Sequence, residues 1–231
     1  MCKEKERKKM SYPNFFKLCS EWTDFFYNEE MEKKLLPIFE VLKKEKYYPD
    51  PENIFKCFYF TYLSTIKAVI IGQDPYHNGS ATGLCFEVKL GNALNPSLQN
   101  IYKELEAEGF FPTRDGNLEQ WAKQGVLMLN SALTVREGEP ESHLDLWGDV
   151  FKDILEKLSE KEFIVWIILG KKAADYKEYI TNPNHIILEA SHPSPFSANR
   201  ASNSQCAFIG SGIFKKVNQE LYKKGIDKIS W

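Results

Sequence analysis

Four short, unbroken apolar runs at wide intervals constrain this chain more than anything else in it. They are residues 67–72 (K-A-V-I-I-G), 125–133 (G-V-L-M-L-N-S-A-L), 163–170 (F-I-V-W-I-I-L-G) and 185–191 (H-I-I-L-E-A-S). Runs of this length without alternation read as strands buried on both faces. The stretches between them have helical spacing. Examples are residues 97–108 and residues 144–158, where Trp147, Val150, Phe151, Ile154, Leu155 and Leu158 share one stripe. Strands alternating with crossover helices predict a three-layer α/β/α fold around a central four-stranded parallel sheet. Residues 13–46 also repeat apolar residues at helical spacing: Phe15, Phe16, Leu18, Trp22, Phe25 and Phe26, then Leu35, Leu36, Phe39 and Leu42. They end in Y-Y-P-D-P, a loop sequence that helices avoid, and are expected to cover the core.

With 231 residues, 43% of them hydrophobic, and no linker or internal repeat, the chain is expected to form one domain over residues 1–231. Residues 1–12 are expected to be a frayed extension, and the Lys-rich stretch at 3–9, interrupted by Glu4 and Glu6, a solvated chain end. No run approaches the roughly 18 apolar residues of a membrane helix, and residues 1–10 carry no apolar signal core. An intracellular protein without a membrane partner is therefore expected, in the cytoplasm of a bacterium or the nucleus of a eukaryote or viral host. Thirty basic and 32 acidic residues leave a net charge of −2, so attraction to nucleic acid has to be local. Cys2, Cys19, Cys57, Cys85 and Cys206 are odd in number and far apart, which offers no disulfide framework and no metal motif. They read as reduced, mostly buried thiols. His77, His143, His185 and His192 lack ligand spacing, so no metal is expected, and there is neither a phosphate-binding loop nor a dinucleotide fingerprint.

In parallel sheets, ligands bind beyond the carboxyl ends of the strands. There the first run leads into G-Q-D-P-Y-H, the second carries Asn130 and Ser131, the third stops at Gly170-Lys171, and the fourth enters S-H-P-S-P-F-S. Singly these are weak signals, since an Asp after a strand more often caps a turn and a His beside two prolines is as often packed as active. Asn130 inside an apolar strand demands a partner, because an unpaired buried amide costs about 1–3 kcal/mol. An acid, a histidine and an amide converging at one end of the sheet read as a single site. A Ser/His/Asp hydrolase is disfavoured: Ser194 lies two residues from His192 across a proline, and no G-x-S-x-G turn presents a nucleophile.

G-Q-D-P-Y-H (72–77) together with H-P-S-P-F-S (192–197) closely resembles the two signature motifs of the family 1 uracil-DNA glycosylases. The resemblance continues through G-L-C-F (83–86), P-S-L-Q-N-I-Y-K-E-L (96–105), W-A-x-Q-G-V-L-x-L-N (121–130) and L-T-V-R (133–136), and spans roughly residues 50–222. It implies a DNA repair enzyme that cuts the bond between uracil and deoxyribose with water, after rotating the base out of the duplex. It implies no cofactor.

By position in the motifs, Asp74 is implied to orient the attacking water and stabilise the cationic sugar. His192 is implied to donate to uracil O2 as negative charge develops there. The Gln73 backbone assists. Asn130 reads the base, its carbonyl accepting from N3–H and its NH2 donating to O4, a pattern that cytosine cannot satisfy. Phe86 stacks on the base, and Tyr76 stands against C5, leaving no room for the methyl group of thymine. DNA contacts are implied at Ser97, Gly170, Lys171, Ser194, Ser197 and Arg200, with Phe196 entering the base stack as an apolar wedge.

The implied partner is DNA containing uracil. A proteinaceous inhibitor or a replication factor stays open as a second partner, and the chain is expected to be a monomer. A non-catalytic DNA-binding or scaffold member of the fold is the alternative, disfavoured by intact Asp74 and His192. The chain departs from the usual pattern at Phe196 (usually Leu), Lys171 (usually Ser), Ser80 (usually Gln) in a loop one residue short, and Asn95 (usually Pro). A short insertion is expected in residues 201–209.

Overall fold

The computed structural model describes residues 18–202 and 204–231. Phe15, Phe16, Cys2, the stretch at 3–9 and the expected extension over residues 1–12 lie outside the described residues. The elements in chain order are α1 (Ser20–Phe26), α2 (Glu29–Leu42), β1 (Tyr47–Tyr48), α3 (Lys56–Phe60), β2 (Ala68–Gly72), α4 (Pro96–Ala107) and α5 (Glu119–Lys123). There follow β3 (Val126–Asn130), β4 (Val135–Arg136), α6 (Leu144–Ser159), β5 (Val165–Leu169), α7 (Lys171–Ala174), β6 (Ile186–Ala190) and α8 (Ile213–Lys223).

The four apolar runs form one parallel sheet in the order β3-β2-β5-β6, with helices packed against it. The expected fold class is the observed one. Every residue of β2, β3 and β5 is buried. Two strand expectations need correction. The second run ends as a strand at Asn130 rather than at residue 133, because residues 131–134 are buried without being extended ladder. Their apolar signal reports burial, not conformation. The last run, β6, is one of the two edge strands and, unlike the other edge strand β3, is only half-buried over Ile186, Ile187, Leu188 and Glu189.

That edge is not left bare. Ser191 donates its N–H to the Cys206 carbonyl at 2.8 Å, the Cys206 thiol donates to the Glu189 carbonyl at 3.4 Å, and Gln205 Nε2 donates to Glu189 Oε1 at 3.4 Å. The segment read as an insertion therefore lies along β6 and occupies hydrogen-bonding groups that an edge strand otherwise offers to another chain. Cys206 is exposed there, whereas Cys19, Cys57 and Cys85 are buried, so burial of the thiols stops short of Cys206.

Within residues 13–46, expected to be helical, the described part divides into α1 and α2 at Asn28. Its side chain accepts from the N–H groups of Glu30 and Met31 and starts α2 afresh. The Y-Y-P-D-P loop also begins as a strand: Tyr47–Tyr48 pairs antiparallel with Val135–Arg136, fastening the helical cover to the loop after β3. Helix α4 opens with Pro96 at its first position, where a missing N–H costs nothing. Helix α8 is capped partly by its own neighbour, Ser211 Oγ accepting from the Ile213 N–H at 3.3 Å, and partly from α4. The buried Glu108, just past the end of α4, accepts from the N–H groups of Phe214 and Lys215, and the buried Glu104 of α4 accepts from those of Gly210 and Gly212 at 2.6 and 2.8 Å.

Trp22, Phe26, Phe55 and Phe58 join the first helices to the core edge-to-face, with centroid separations of 4.8 Å for Trp22–Phe58, 4.8 Å for Phe26–Phe58 and 5.0 Å for Phe26–Phe55. Trp22 also donates its indole N–H to the Thr61 carbonyl at 2.9 Å. Phe26 is fully buried in this cluster. Its replacement in Phe26→Ala should lower the free energy of unfolding by about 3–5 kcal/mol in a urea titration; a loss under 1 kcal/mol would show that the helical cover is not integral to the core.

Candidate active site

Beyond the carboxyl ends of β2 and β3 lies a cavity of about 170 Å³ lined by residues of both motifs, among them Gln73, Asp74, Tyr76, Phe86, Asn130 and His192. It forms because β2 and β3 are paired with Gly72 opposite Asn130. A Cβ on Gly72 would sit 2.3 Å from Asn130 Oδ1 and 2.8 Å from the Cys85 Cβ, so only glycine lets the amide stand over the strand end. Asn130 is buried, and among the described residues nothing hydrogen-bonds its side-chain amide. A buried amide with both ends free is a recognition group awaiting a partner that offers one donor and one acceptor.

Gln73 is pinned by its carbonyl, which accepts from the Ser131 hydroxyl at 2.7 Å and the Ala132 N–H at 3.1 Å. Its side chain donates to Asp74 Oδ1 at 3.1 Å, while Asp74 Oδ2 accepts from the Glu141 N–H at 2.6 Å. Burial raises the Asp74 carboxyl above the ordinary aspartate range, and these two donors pull it part of the way back.

His192 lines the same cavity as the acid. Burial lowers its pKa from the ordinary histidine value, so the ring is neutral at pH 7. The Ser194 N–H donates to its Nδ1 at 3.1 Å, which leaves the proton on Nε2. The ring is thus a fixed neutral donor. Gly170 makes room for it at φ +92°: a Cβ there would meet His192 Cβ at 2.8 Å.

Phe86 is buried with its ring centroid 6.0 Å from that of His192. It adopts φ +64°, a left-handed conformation that costs a side chain on the order of 1–3 kcal/mol. Cys85 N–H on the Met128 carbonyl at 3.2 Å and the Tyr76 hydroxyl donated to the Phe86 carbonyl at 3.3 Å hold it there. A flat aromatic wall, a neutral donor, a desolvated acid and a two-ended amide suit a small planar heterocycle and the hydrolysis of the bond beyond it.

The family model of the uracil DNA glycosylase superfamily matches residues 60–221. The chain belongs to that superfamily. A uracil-DNA glycosylase from Alkaliphilus metalliredigens is 44% identical over 223 residues, covering 93% of this chain and 95% of that protein. The one from Dictyostelium discoideum is 46% identical over 195 residues, covering 82% of this chain and 54% of that protein. Among solved structures, mimivirus uracil-DNA glycosylase matches with a TM-score of 0.83 at 28% identity, over 93% of this chain and 87% of that one. A variant of the mimivirus enzyme in complex with UGI matches at 0.82 and 28%, over 92% and 88%.

Of the residues expected to contact DNA, Ser97 is the one that lines the cavity. It stands at the start of α4, and Asn100 of the same helix donates to the Pro193 carbonyl at 2.8 Å, bringing α4 and the second motif together. Ser194 and Ser197 face one another at 3.4 Å between hydroxyls, in a turn closed by the Ala198 N–H on the Ser194 carbonyl at 2.8 Å. Phe196 projects from the tip of this turn, 83% exposed. Lys171 and Arg200 are exposed, and neither lines the cavity. Two departures from the family pattern touch one another, since Asn95 Nδ2 donates to Ser80 Oγ at 3.3 Å.

Three contributors were not read from the sequence. Gly72 was noted only as a motif letter; its closeness to Asn130 depends on strand register. Glu87, next to Phe86 and buried against Lys56 at 2.7 Å, looks like any surface acid in the sequence. Glu141 lies 67 residues from the Asp74 it touches and has no local signal. Among the described residues no cluster of His, Cys, Asp or Glu is arranged to hold a metal, and no helix is long and apolar enough to cross a membrane.

Substituting Gly72→Ala forces Asn130 or Cys85 to move and should lower kcat/KM for uracil release by at least about tenfold while leaving the far-ultraviolet spectrum intact. Activity equal to the parent protein would mean that the Asn130 position is not required.

Proposed function

We propose that this protein hydrolyses the N-glycosidic bond of deoxyuridine in single- or double-stranded DNA, releasing uracil and leaving an abasic site for base excision repair. The observation that carries this reading is the buried, unpartnered Asn130 amide opening into the cavity that Asp74 and His192 also line. Uracil offers such an amide N3–H to accept from and O4 to donate to, whereas cytosine presents the reverse pattern, an acceptor at N3 and a donor at N4. Phe86 stacks on the ring, and Tyr76, held by its hydroxyl bond to the Phe86 carbonyl, closes the space a thymine methyl needs.

As the base leaves, negative charge grows on O2, where the Nε2–H of neutral His192 and the Gln73 backbone stabilise it. Asp74 orients the water and balances the positive sugar. A strongly charged acid in a dry site needs donors, and the Glu141 N–H and the Gln73 amide supply them. DNA is gripped through Ser97, Ser194 and Ser197 on phosphates, with Gly170, Lys171 and Arg200 beside them, which suits local contacts on a chain of net charge −2. Phe196, at the exposed tip, enters the base stack in place of the extruded nucleotide. A protein of the kind that UGI represents is the proposed proteinaceous partner, occupying the same surface, and the chain acts as one domain and as a monomer.

The direct test is release of free uracil from a single-stranded oligonucleotide with one deoxyuridine, in EDTA. Asp74→Asn and His192→Ala should each cut the rate by 100-fold or more; undiminished release in either removes that residue from the mechanism. Asp74 acts charged with a raised pKa, so the rate falls as pH drops through a value above the ordinary aspartate pKa of about 3.9. His192 acts neutral with a lowered pKa, so the profile shows no loss at the ordinary histidine value of about 6.5. A step there would contradict the neutral ring.

Phe196→Ala should slow uracil release from duplex substrate at least about tenfold more than from single strands, because only the duplex has a gap to fill. Equal effects on both would remove the wedge role.

A further inference from the structure

The Asp74 carboxylate is steered from outside its own motif. Its Oδ2 accepts from the Glu141 N–H at 2.6 Å, and Glu141 stands in the loop between β4 and α6 with φ +69°, a left-handed conformation. The flanks of that loop are fastened independently. Arg136 pairs with Glu45 and Glu139 at 2.8 and 2.7 Å, the Gly138 N–H meets the His77 carbonyl at 3.0 Å, and the Arg136 N–H meets Ser142 Oγ at 2.8 Å. Buried His143 spans Thr134 and Glu45 at 2.8 and 2.5 Å. At position 141 the carbonyl accepts from the Leu144 N–H at 3.2 Å, and the carboxylate pairs with Lys172. Lys172 belongs to the short α7 that begins right after Gly170, the residue that seats His192.

We propose that the Glu141–Lys172 ion pair is a positioning clasp for Asp74, holding the Glu141 peptide so that its N–H stays on Oδ2 and the acid keeps its charge and its aim. The clasp rests on the reading of Asp74 as the acid that orients water. It ties the loop that holds the acid to the strand end that seats the histidine, so the two groups that line the cavity share one support. With side chains about half exposed, 48% for Glu141 and 51% for Lys172, such a pair adds little to global stability. Its effect falls on the rotation of a single peptide.

The titratable groups facing Asp74 are Glu141, His77 from its own loop and His143 from the loop beyond Glu141. Glu141 repels the Asp74 charge, and Lys172 offsets that repulsion. Removing the lysine therefore both frees the peptide and leaves a bare carboxylate beside the acid.

The test compares Lys172→Met, Glu141→Gly and the double variant in single-turnover uracil release from a single-stranded deoxyuridine oligonucleotide, across pH, with Asp74→Asn in parallel. Glycine at 141 keeps the left-handed conformation open while deleting the carboxylate. Each single variant should lower the maximal rate about three- to tenfold, with half-saturation within about twofold and the melting temperature unchanged, and Lys172→Met, which leaves the Glu141 charge bare beside the acid, should also move the acid limb to higher pH. The double variant should be no slower than the slower single.

Losses that multiply in the double variant, or an unchanged rate in both singles, would overturn the clasp. So would a Lys172→Met defect confined to half-saturation and its salt dependence, which would make the lysine a phosphate contact. If Asp74→Asn keeps full rate, the reading of the site fails whatever the clasp does; if it is inactive while the clasp variants match the parent, only the clasp fails.

Discussion

The site depends on a close approach at the end of two parallel strands. With Gly72 opposite Asn130, a missing side chain on one strand makes room for an amide on the next, and the cavity opens from that point. A parallel ladder brings successive strand ends to one side of the sheet, so residues far apart in sequence meet there without any long-range device. Asp74 leaves β2, Asn130 ends β3, Gly170 ends β5, and His192 follows β6. Their positions relative to one another are as rigid as the sheet, three of whose strands are wholly buried.

Burial then acts on the two ionisable groups in opposite senses. The same dry surroundings that raise the Asp74 carboxyl keep the His192 ring neutral, because in each case they penalise the charged form. The protein compensates only the acid, with two hydrogen-bond donors, and gives the histidine an N–H on Nδ1 that neutral imidazole accepts and imidazolium cannot. One environment thereby sustains both a carboxylate and a neutral imidazole. Backbone strain at Phe86 serves a related end, since a left-handed phenylalanine held by Cys85 and Tyr76 sets its ring beside the histidine before any ligand arrives.

Much of this was legible in the sequence, for identifiable reasons. Continuous apolar runs report burial on both faces, and β2, β3 and β5 carry that signal without dilution. The amide of Asn130 stands out because a polar group within such a run has to be accounted for. Where the sequence misled, burial and conformation had parted company: residues 131–134 are buried but not strand, and β6 is strand but half-buried. Helix α8 was missed because much of its cap comes from Glu104 and Glu108, far away in sequence, and Tyr47–Tyr48 because the partners, Arg136 and Val135, lie 89 and 87 residues away. Glu141 was illegible for the same reason. Contacts made through tertiary proximity leave no periodicity and no motif.

The exposed ring of Phe196 has a thermodynamic consequence of its own. In the free protein 83% of this residue stands in water, ordering solvent around an aromatic face that no neighbour covers. Whatever surface receives it removes that apolar area from solvent and contributes a negative change in heat capacity to the association. The temperature dependence of the binding enthalpy therefore carries a record of whether the ring has been taken up, separate from every polar contact at the rim.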